Sequence, residues 1–342
     1  MGSPLTCPCH IIPSSMLNKF AQHPDFDAKT RAALAQSAVA SAFARGERVA
    51  SRFMAMELAR TTPNTGGKDR LVYDAGGKSR QPSKPTRKEG DPKTGNEAVD
   101  AAYDSTGSTY DYYMEFLKRN SVDGHGLALK STVHSAKAPD NAFWDGKQMW
   151  FGDATPNGPF IGSFAAALEV VAHELTHGVT QFVVPGGGLE YDEESGALNE
   201  SWSDCMGCVV KQNALKQDVK TADWLIGSSI LNPKYGKALR SMKDPGHAWE
   251  QDDQPAVYSK YVQGGDVHTN SGIPNHAFYL ASTNLGGNSW DKAGPIWYKA
   301  LSLLTPRASF ADAKAATIAA ARALYGDAEV AAVADAWSKV GV

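Results

Sequence analysis

The strongest constraint on this chain is the stretch Val170–Gly178, which reads Val-Val-Ala-His-Glu-Leu-Thr-His-Gly. It places His173 and His177 four residues apart in an apolar run, so both side chains project from one face if the run is helical. Two imidazoles on one face can hold one zinc ion, and Glu174 beside them can act as a general base. A helix that carries two histidines by accident is the alternative. A third ligand, partners for the rings and a transition-state donor elsewhere would decide between the two.

Composition narrows the class of protein. The chain has 342 residues, of which 42% are hydrophobic and 21% charged, and its formal net charge is −3. These values are typical of a globular protein with room for two domains, and so small a charge does not indicate nucleic acid or an anionic membrane as a partner. No apolar run approaches the roughly 20 residues that a membrane-spanning helix needs.

The first ten residues lack the basic region and the apolar core of a secretory signal peptide. The chain is therefore expected to be intracellular, to leave the cell by a non-classical route, or to have been written without its signal. Apolar positions at helical spacing follow capping residues near Ser14 and Asp27, which predicts a small helical segment over residues 11–60. The polar run Ala44–Arg48 is a candidate proteolytic junction, because nicking concentrates in exposed segments of small and polar residues.

The region before the zinc motif shows the signals of a β-rich lobe. Arg70–Tyr73 and Leu127–His134 are predicted strands, and Asn96–Arg119 between them has helical spacing. In Asn141–Asp153 an Asp-Gly turn separates two aromatic-rich runs, which predicts a hairpin. The outer strand of that hairpin would offer a free edge to an extended peptide.

The region after the zinc motif is predicted to be helical. The zinc-motif helix should begin near Ser163 and end near Phe182, before the loop Pro185–Gly188. Five further helices are predicted, at Glu194–Gln212, Ile273–Ser282, Pro295–Leu304, Phe310–Leu324 and Ala328–Val340. The pattern predicts an α+β protein with a β-rich lobe over residues 53–182, which includes the zinc-motif helix, a helical lobe over residues 183–342, and a cleft between them.

The best candidate for the third ligand lies in the segment Glu194–Asp204. On a helix, Glu200 and Asp204 share a face and Asn199 lies next to it. Glu200 would bind the metal, while Asp204 and Asn199 would accept hydrogen bonds from the free ring nitrogens of the two histidines. The alternative is an ordinary polar helix face.

At this point several motifs agree in order and spacing from about residue 70 to the C-terminus. His173–His177 followed by Gly196–Asp204 resembles the thermolysin family of zinc metallopeptidases. Asn141–Trp144 is similar to the family's substrate-binding edge strand, Leu239–Met242 to its arginine segment, and Val267–Ile273 to the segment that carries its transition-state histidine. Tyr191 stands where the family has an active-site tyrosine.

The resemblance implies a two-lobed endopeptidase with one zinc ion, and it implies a role for each matching residue. His173, His177 and Glu200 would bind zinc, and Glu174 would be the general base that passes a proton to the leaving amine. The remaining roles are oxyanion stabilisation by His268 and Tyr191, and substrate binding by Arg240, Asn141 and Ala142.

The resemblance also implies cleavage on the amino side of bulky hydrophobic residues. Leu239, Val170 and Phe164 are the candidates for the wall of the pocket that receives this residue. A zinc aminopeptidase also carries the His-Glu-x-x-His motif, but it has a Gly-x-Met-Glu-Asn-type segment where this chain has Asn141–Trp144. A binding module with a structural zinc is the other alternative, although structural sites are usually closed by four ligands that include cysteine.

Two departures from the family pattern concern calcium and His268. Thermolysin has a double calcium site, and at the corresponding positions this chain keeps two acidic residues but has a lysine ammonium beside them, so we expect that site to be lost. The positions are Glu169, Lys211, Asp223, Leu225 and Ser228. The aspartate that usually orients the histidine stands further upstream in the family, and Asp266 either replaces it by a different path or leaves His268 without that support.

The N-terminal segment resembles the short propeptide of the protealysin-type members of the family. Ile11–Leu17 is similar to the start of that propeptide, although its second proline is missing here. The resemblance implies a propeptide over residues 1–52 that acts as an intramolecular inhibitor, a cleavage between Arg45 and Met56, a monomer, and secretion by a non-classical route, with a cytoplasmic enzyme as the alternative. Cys7 or Cys9 would cap the zinc as a thiolate, or both are free thiols on a frayed end and the propeptide blocks the cleft sterically. Cys205 and Cys208 are predicted to be a buried pair of small apolar side chains.

Overall fold

The N-terminal segment contributes two helices. The computed structural model describes residues 10–41 and 66–342, and the expected cleavage between residues 45 and 56, the boundary at residue 52, Cys7 and Cys9 lie outside these ranges. Helix α1 spans Ser14–Ala21, and residues 28–41 form helix α2. Asp27 accepts a hydrogen bond from the Thr30 backbone N–H at 2.7 Å, so the predicted cap is present.

A five-stranded mixed sheet builds the first lobe, in the order β2-β1-β3-β5-β4. Strand β3 pairs in parallel with β1 and β5, while the outer pairs β1/β2 and β5/β4 are antiparallel. The pairing of β4 with β5 confirms the predicted hairpin, and β4 forms one edge of the sheet. The strands are β1 Arg70–Asp74, β2 Arg87–Lys88, β3 Leu129–Val133, β4 Ala142–Trp144 and β5 Met149–Phe151.

Helix α3, Glu97–Leu117, covers the sheet and reaches the zinc-motif helix. Asn96 caps it by accepting from the backbone N–H groups of Ala98 and Val99. The Tyr113 and Thr176 hydroxyls hydrogen-bond at 2.8 Å in the interior, which ties this helix to the zinc-motif helix.

The zinc-motif helix α4 spans Leu168–Val183 and therefore begins later than predicted. Ser163 instead caps a short 3₁₀ turn, Phe164–Ala166, and the extended backbone of Ala167 separates this turn from α4. The prediction of a start near Ser163 was wrong because the serine cap and the apolar run belong to two elements.

Helix α5, Glu193–Leu215, packs closely against α4 and carries the third candidate ligand. Glycine permits the close contact, since a Cβ atom on Gly207 would lie 2.7 Å from the Glu169 carbonyl oxygen. Gly178, directly after the second histidine, allows an equally close approach of Trp144 from strand β4: a Cβ atom there would lie 3.0 Å from the indole ring. These two contacts fix α4 between the sheet and α5.

The second lobe is helical, as predicted, and also contains a two-stranded sheet of β6 Leu225–Ile226 and β7 Arg240–Ser241. Within residues 10–41 and 66–342, no helix is long and apolar enough to cross a membrane. A 3₁₀ turn lies at Tyr258–Lys260, and the remaining helices are α6 Val267–Asn270, α7 Gly272–Leu285, α8 Ala293–Leu301, α9 Phe310–Leu324 and α10 Asp327–Lys339.

Candidate active site

The two histidines of the zinc motif face each other from one side of α4. Both side chains are buried, and the Nε2 atoms of His173 and His177 lie 2.9 Å apart. The carboxylate of Glu200 on α5 lies beside them, 3.3 Å from His173 Nε2 and 3.6 Å from His177 Nε2. The three candidate ligand atoms thus lie within 4.8 Å of one another.

Hydrogen bonds of the Nδ1 atoms fix the orientation of the two rings. His173 Nδ1 lies 2.8 Å from Asp204 Oδ1, and His177 Nδ1 lies 2.9 Å from both Asn199 Oδ1 and Ser203 Oγ. With Nδ1–H donating to Asp204 and Asn199, both Nε2 atoms present lone pairs towards Glu200. Ser203 was not predicted, although it lies four residues after Asn199 on the same helix face.

This donor set fits zinc. Two imidazole nitrogens and one carboxylate are a usual catalytic zinc set, which leaves a further position for water or substrate. Within the described part of the chain, Glu200 Oε2 is buried without a hydrogen-bond partner. A metal cation between the two Nε2 atoms and this carboxylate oxygen would satisfy all three.

The charges around the site also favour a cation. Burial opposes the charged form of His173, but Asp204 and Glu200 outweigh burial and raise the pKa of this ring to about 9. Burial raises the pKa of the Asp204 carboxyl, but Arg240 and His173 outweigh burial and hold this pKa well below its ordinary value. Burial also raises the pKa of Glu200, but the charges of His268, His177 and His173 outweigh burial and hold that pKa well below its ordinary value. Two ionised carboxylates therefore surround the pair of imidazoles.

Arg240 connects the metal cluster to the cleft. Its Nε and Nη2 atoms donate to the two carboxylate oxygens of Asp204 at 2.7 and 2.8 Å, and its Nη1 donates to the Ile11 carbonyl oxygen at 2.8 Å. Asn275 donates to the same aspartate at 2.9 Å. The guanidinium is thus held rigidly and presents one N–H to a peptide carbonyl.

The candidate base lies between the metal cluster and the edge strand. Glu174 is fully buried, and its Oε2 accepts a hydrogen bond from the Trp144 backbone N–H at 2.8 Å. Strand β4 therefore fixes the position of the Glu174 carboxylate. In α4 this residue lies between the two histidines, directly after His173 and three residues before His177.

Tyr191 and His268 approach the cluster from the helical lobe. The Tyr191 hydroxyl donates a hydrogen bond to Glu200 Oε1 and lies 3.3 Å from His268 Nε2. His268 Nδ1 lies 2.9 Å from Asp266 Oδ1. Asp266 thus takes the orienting position that the sequence left open, and Glu200 and Asp266 raise the pKa of the His268 ring against the opposing effect of burial.

The N-terminal segment lies in the cleft along strand β4. His10 forms an antiparallel bridge with Phe143, and the Ile11 N–H donates to the Ala142 carbonyl oxygen at 3.1 Å. The Asn141 side chain accepts from the Ile12 N–H and donates to the Ile12 carbonyl oxygen, both at 2.9 Å. The structure therefore places Asn141 and Ala142 against an added strand of the chain itself.

The three residues predicted for the wall of the specificity pocket differ in their surroundings, and their role stays a prediction. Leu239 lines a cavity beside Arg240, His268 and the N-terminal residue Pro13. Val170 and Phe164 are not among the described residues that line this cavity, and both are fully buried. Both lie on the helical elements that follow Ser163, where the core of the molecule covers them.

Lys211 lies where we expected the double calcium site of thermolysin to be lost. Its Nζ lies 2.9 Å from Asp223 Oδ2 and 3.6 Å from Glu169 Oε1, and it donates to the Leu225 carbonyl oxygen at 3.0 Å. An ammonium group thus contacts three oxygens of the kind that would bind a hard cation.

The two described cysteines are inert. Cys205 and Cys208 are buried and reduced, and burial raises the pKa of both thiols well above the ordinary value. They pack in the interior as small apolar side chains, as predicted.

Comparison with known proteins places these features in one family. Residues 55–181 match the model of the catalytic domain of thermolysin metallopeptidases, and residues 187–342 match that of their alpha-helical domain. The chain belongs to the thermolysin family of metallopeptidases. It is a zinc metalloprotease and a neutral endopeptidase, and the family assignment made from its motifs is confirmed.

Several relatives cover most of the chain. It is 45% identical over 289 residues to an extracellular metalloprotease of Pectobacterium carotovorum. The alignment covers 81% of this chain and 82% of that protein. It is 39% identical over 287 residues to protease PrtS of a Photorhabdus strain, covering 80% and 76% respectively. Among solved structures, the precursor of protealysin from Serratia proteamaculans matches with a TM-score of 0.83 and 40% identity, over 98% of this chain and 99% of that one.

Proposed function

We propose that this chain is the zymogen of an endopeptidase that cuts peptide bonds on the amino side of bulky hydrophobic residues. The observation that carries the proposal is a chain segment held as an added strand on β4, with its His10 carbonyl oxygen 2.7 Å from His268 Nε2 and beside the metal cluster. His10 is the tenth residue, so this carbonyl belongs to an internal peptide bond. The alternative of an aminopeptidase, which binds a free N-terminus, is therefore disfavoured.

Each residue has a role that its contacts support. His173, His177 and Glu200 would hold one zinc ion, which supplies Lewis-acid activation of water and carbonyl when bound. Glu174 would accept the proton of the attacking water and deliver it to the leaving nitrogen. His268 and Tyr191 would donate hydrogen bonds to the developing oxyanion.

The residues along the cleft would position the substrate. Asn141 and the Ala142 carbonyl hold peptide backbone as an added strand, and Arg240 holds the carbonyl one residue beyond the reacting one. Leu239 would line the pocket for the hydrophobic side chain that follows the cleaved bond. Asp204 and Asn199 orient the metal-binding rings.

The N-terminal segment supports the zymogen part of the proposal. Residues 10–12 fill the cleft where a substrate would bind, and the similar solved structure is described as a precursor. Residues 1–52 would therefore act as an intramolecular inhibitor until a cut between residues 45 and 56 releases them. We further propose a monomer that is secreted by a non-classical route, in line with the extracellular relative; detection of the mature protein in culture medium with the cells intact checks the location.

Peptide cleavage by the mature enzyme tests the activity. A peptide with leucine after the cleaved bond should be cut, while one with aspartate at that position should resist. Glu174→Gln should lower kcat/KM by about 10²–10⁴-fold, because it removes the base and keeps the shape of the side chain. Equal rates for parent and variant, or no effect of a zinc chelator, would contradict the proposal, and no cleavage by the parent would favour a binding module.

A further inference from the structure

The N-terminal segment is bound in a definite register. Two consecutive residues use their backbone groups: Ile11 N–H donates to the Ala142 carbonyl oxygen, and Ile12 exchanges two hydrogen bonds with the Asn141 side chain. The Ile11 carbonyl oxygen accepts from Arg240. Four directional hydrogen bonds over two residues define this register, because a slip by one residue would turn the bonded groups away from Ala142, Asn141 and Arg240.

This register singles out one carbonyl group. The carbonyls of Ile11 and Ile12 are taken by the positioning groups Arg240 and Asn141, whereas the His10 carbonyl oxygen accepts from His268 Nε2 at 2.7 Å. His268 Nε2 in turn lies 3.4 Å from Glu200 Oε2 of the metal cluster. The carbonyl that faces the oxyanion donors is the one that a hydrolase attacks.

We propose that the enzyme hydrolyses its own His10–Ile11 peptide bond, with the segment lying in its own cleft. This inference rests on the proposed function. Water adds to the His10 carbonyl carbon, the bond from that carbon to the Ile11 nitrogen breaks, and Glu174 transfers the proton of the water to that nitrogen. The products are a His10 carboxylate and an Ile11 amine, so the reaction needs no further reactant.

The side chain after the bond suits the proposed specificity. Ile11 is a bulky apolar residue and is fully buried. The apolar residue that the enzyme would select in a substrate is therefore present at this position in its own segment.

Cleavage at this bond does not empty the cleft. The hydrogen bonds of Ile11 and Ile12 and the contacts of the two helices all lie on the carboxyl side of the bond, so the cut leaves them intact. Lys19 on α1 pairs with Asp253 at 2.7 Å, and Ser37 on α2 donates to the buried Asp140 at 2.8 Å. Removal of residues 1–10 would thus leave Ile11 and Ile12 in place and the protein still latent, so maturation requires the second cut after α2.

Intact mass measures the cut directly. The full-length chain is prepared with a chelator, zinc is added, and mass and N-terminal sequence are followed at two protein concentrations tenfold apart. We expect a product that begins at Ile11, formed with the same rate constant at both concentrations because the reaction is intramolecular. A tenfold faster reaction at the higher concentration would overturn cleavage within one chain.

Variants separate this inference from the proposed function. Ile11→Leu should still be cut and Ile11→Asp should not, while Glu174→Gln should keep residues 1–10 attached. Protein that cleaves a separate leucine-containing peptide after maturation, yet never yields an Ile11 terminus, would overturn the inference and leave the proposed function standing. Failure of both reactions would overturn both.

Hydrogen exchange tests the register without any turnover. In metal-free Glu174→Gln protein, the amide hydrogens of Ile11 and Ile12 should exchange slowly, since each donates to the body of the enzyme. Asn141→Ala should speed exchange at Ile12, which loses its acceptor, more than at Ile11, which keeps Ala142. Fast exchange at both residues in Glu174→Gln protein would contradict the register.

Discussion

A single buried carboxylate, that of Asp204, joins metal binding to substrate binding. It accepts hydrogen bonds from His173, Arg240 and Asn275, and its side chain is fully buried. One charge therefore fixes the ring of a metal ligand and the guanidinium that holds a substrate carbonyl. Its partners satisfy both carboxylate oxygens, so the charge is stable in the interior.

Loss of this charge should affect both zinc and substrate. Asp204→Asn should weaken zinc binding by about 10–100-fold, because the His173 ring loses its anionic acceptor. It should also raise KM, because Arg240 loses one of its two hydrogen bonds to this side chain. Competition with a chromogenic chelator measures zinc affinity. Asp111→Asn, an exposed carboxylate that pairs with Lys68, is the control and should change neither quantity; unchanged zinc affinity in Asp204→Asn would contradict the prediction.

At the residue scale, Lys211 also contributes to the stability of the fold. Lys211→Met should lower the free energy of unfolding by about 3–5 kcal/mol, because it leaves the buried Glu169 carboxylate without its cation. Urea unfolding in a Glu174→Gln background, which prevents self-cleavage, measures the change. The exposed Lys216→Met is the matched control.

Calcium provides the complementary test of the same lysine. Millimolar calcium should leave the unfolding midpoint of the parent unchanged, because the ammonium already contacts the acidic oxygens. Glu169→Gln added to Lys211→Met should recover part of the lost stability, since no buried charge then remains unpaired. A rise in the parent midpoint with calcium would contradict this account.

At the scale of elements, local periodicity predicted which side chains share a helix face. His173 with His177, and Glu200 with Asp204, follow from the four-residue spacing alone. The partner that each face meets depends on packing between α4 and α5, so the contact of Ser203 with His177 was not predicted. The start of α4 was also misplaced, because sequence periodicity does not register a single extended residue such as Ala167.

The short helix α6 gives a prediction at this scale. Asp266 caps it by accepting from the His268 N–H at 2.9 Å and also contacts the His268 ring. Asp266→Asn keeps an oxygen for the cap but removes the charge that supports the protonated ring. We expect the mature enzyme to lose about 10–100-fold in kcat with little change in KM, since general-acid and oxyanion support act in the transition state.

Asp266→Ala separates the two roles of this side chain. It should show the same loss in kcat and in addition a stability loss of about 1 kcal/mol from the missing cap. An Asp266→Asn enzyme with unchanged kcat would show that the contact is only structural.

At the scale of the whole molecule, the N-terminal segment is part of the folded core. Phe20 of α1 contacts four aromatic rings, and with 2% of its surface exposed it is a buried apolar anchor of that helix. The family resemblance predicted a blocking segment here. The hydrogen-bond register of its residues against β4 could not be predicted, because it depends on contacts between residues more than 120 positions apart. The four aromatic rings that Phe20 contacts are those of Phe26, Phe160, Tyr235 and Trp249.

Removal of this anchor should weaken latency. Phe20→Ala deletes a buried ring, which costs about 3–5 kcal/mol in a core and somewhat less where the segment can detach. We expect the freshly zinc-loaded precursor to hydrolyse a short peptide up to about 100-fold faster than the parent before any maturation. The neighbouring Asn18→Ala, exposed on the same helix, should stay latent. Equal initial rates for Phe20→Ala and parent would mean that the backbone contacts of Ile11 and Ile12 hold the segment by themselves, so that α1 only covers a cleft that is already closed.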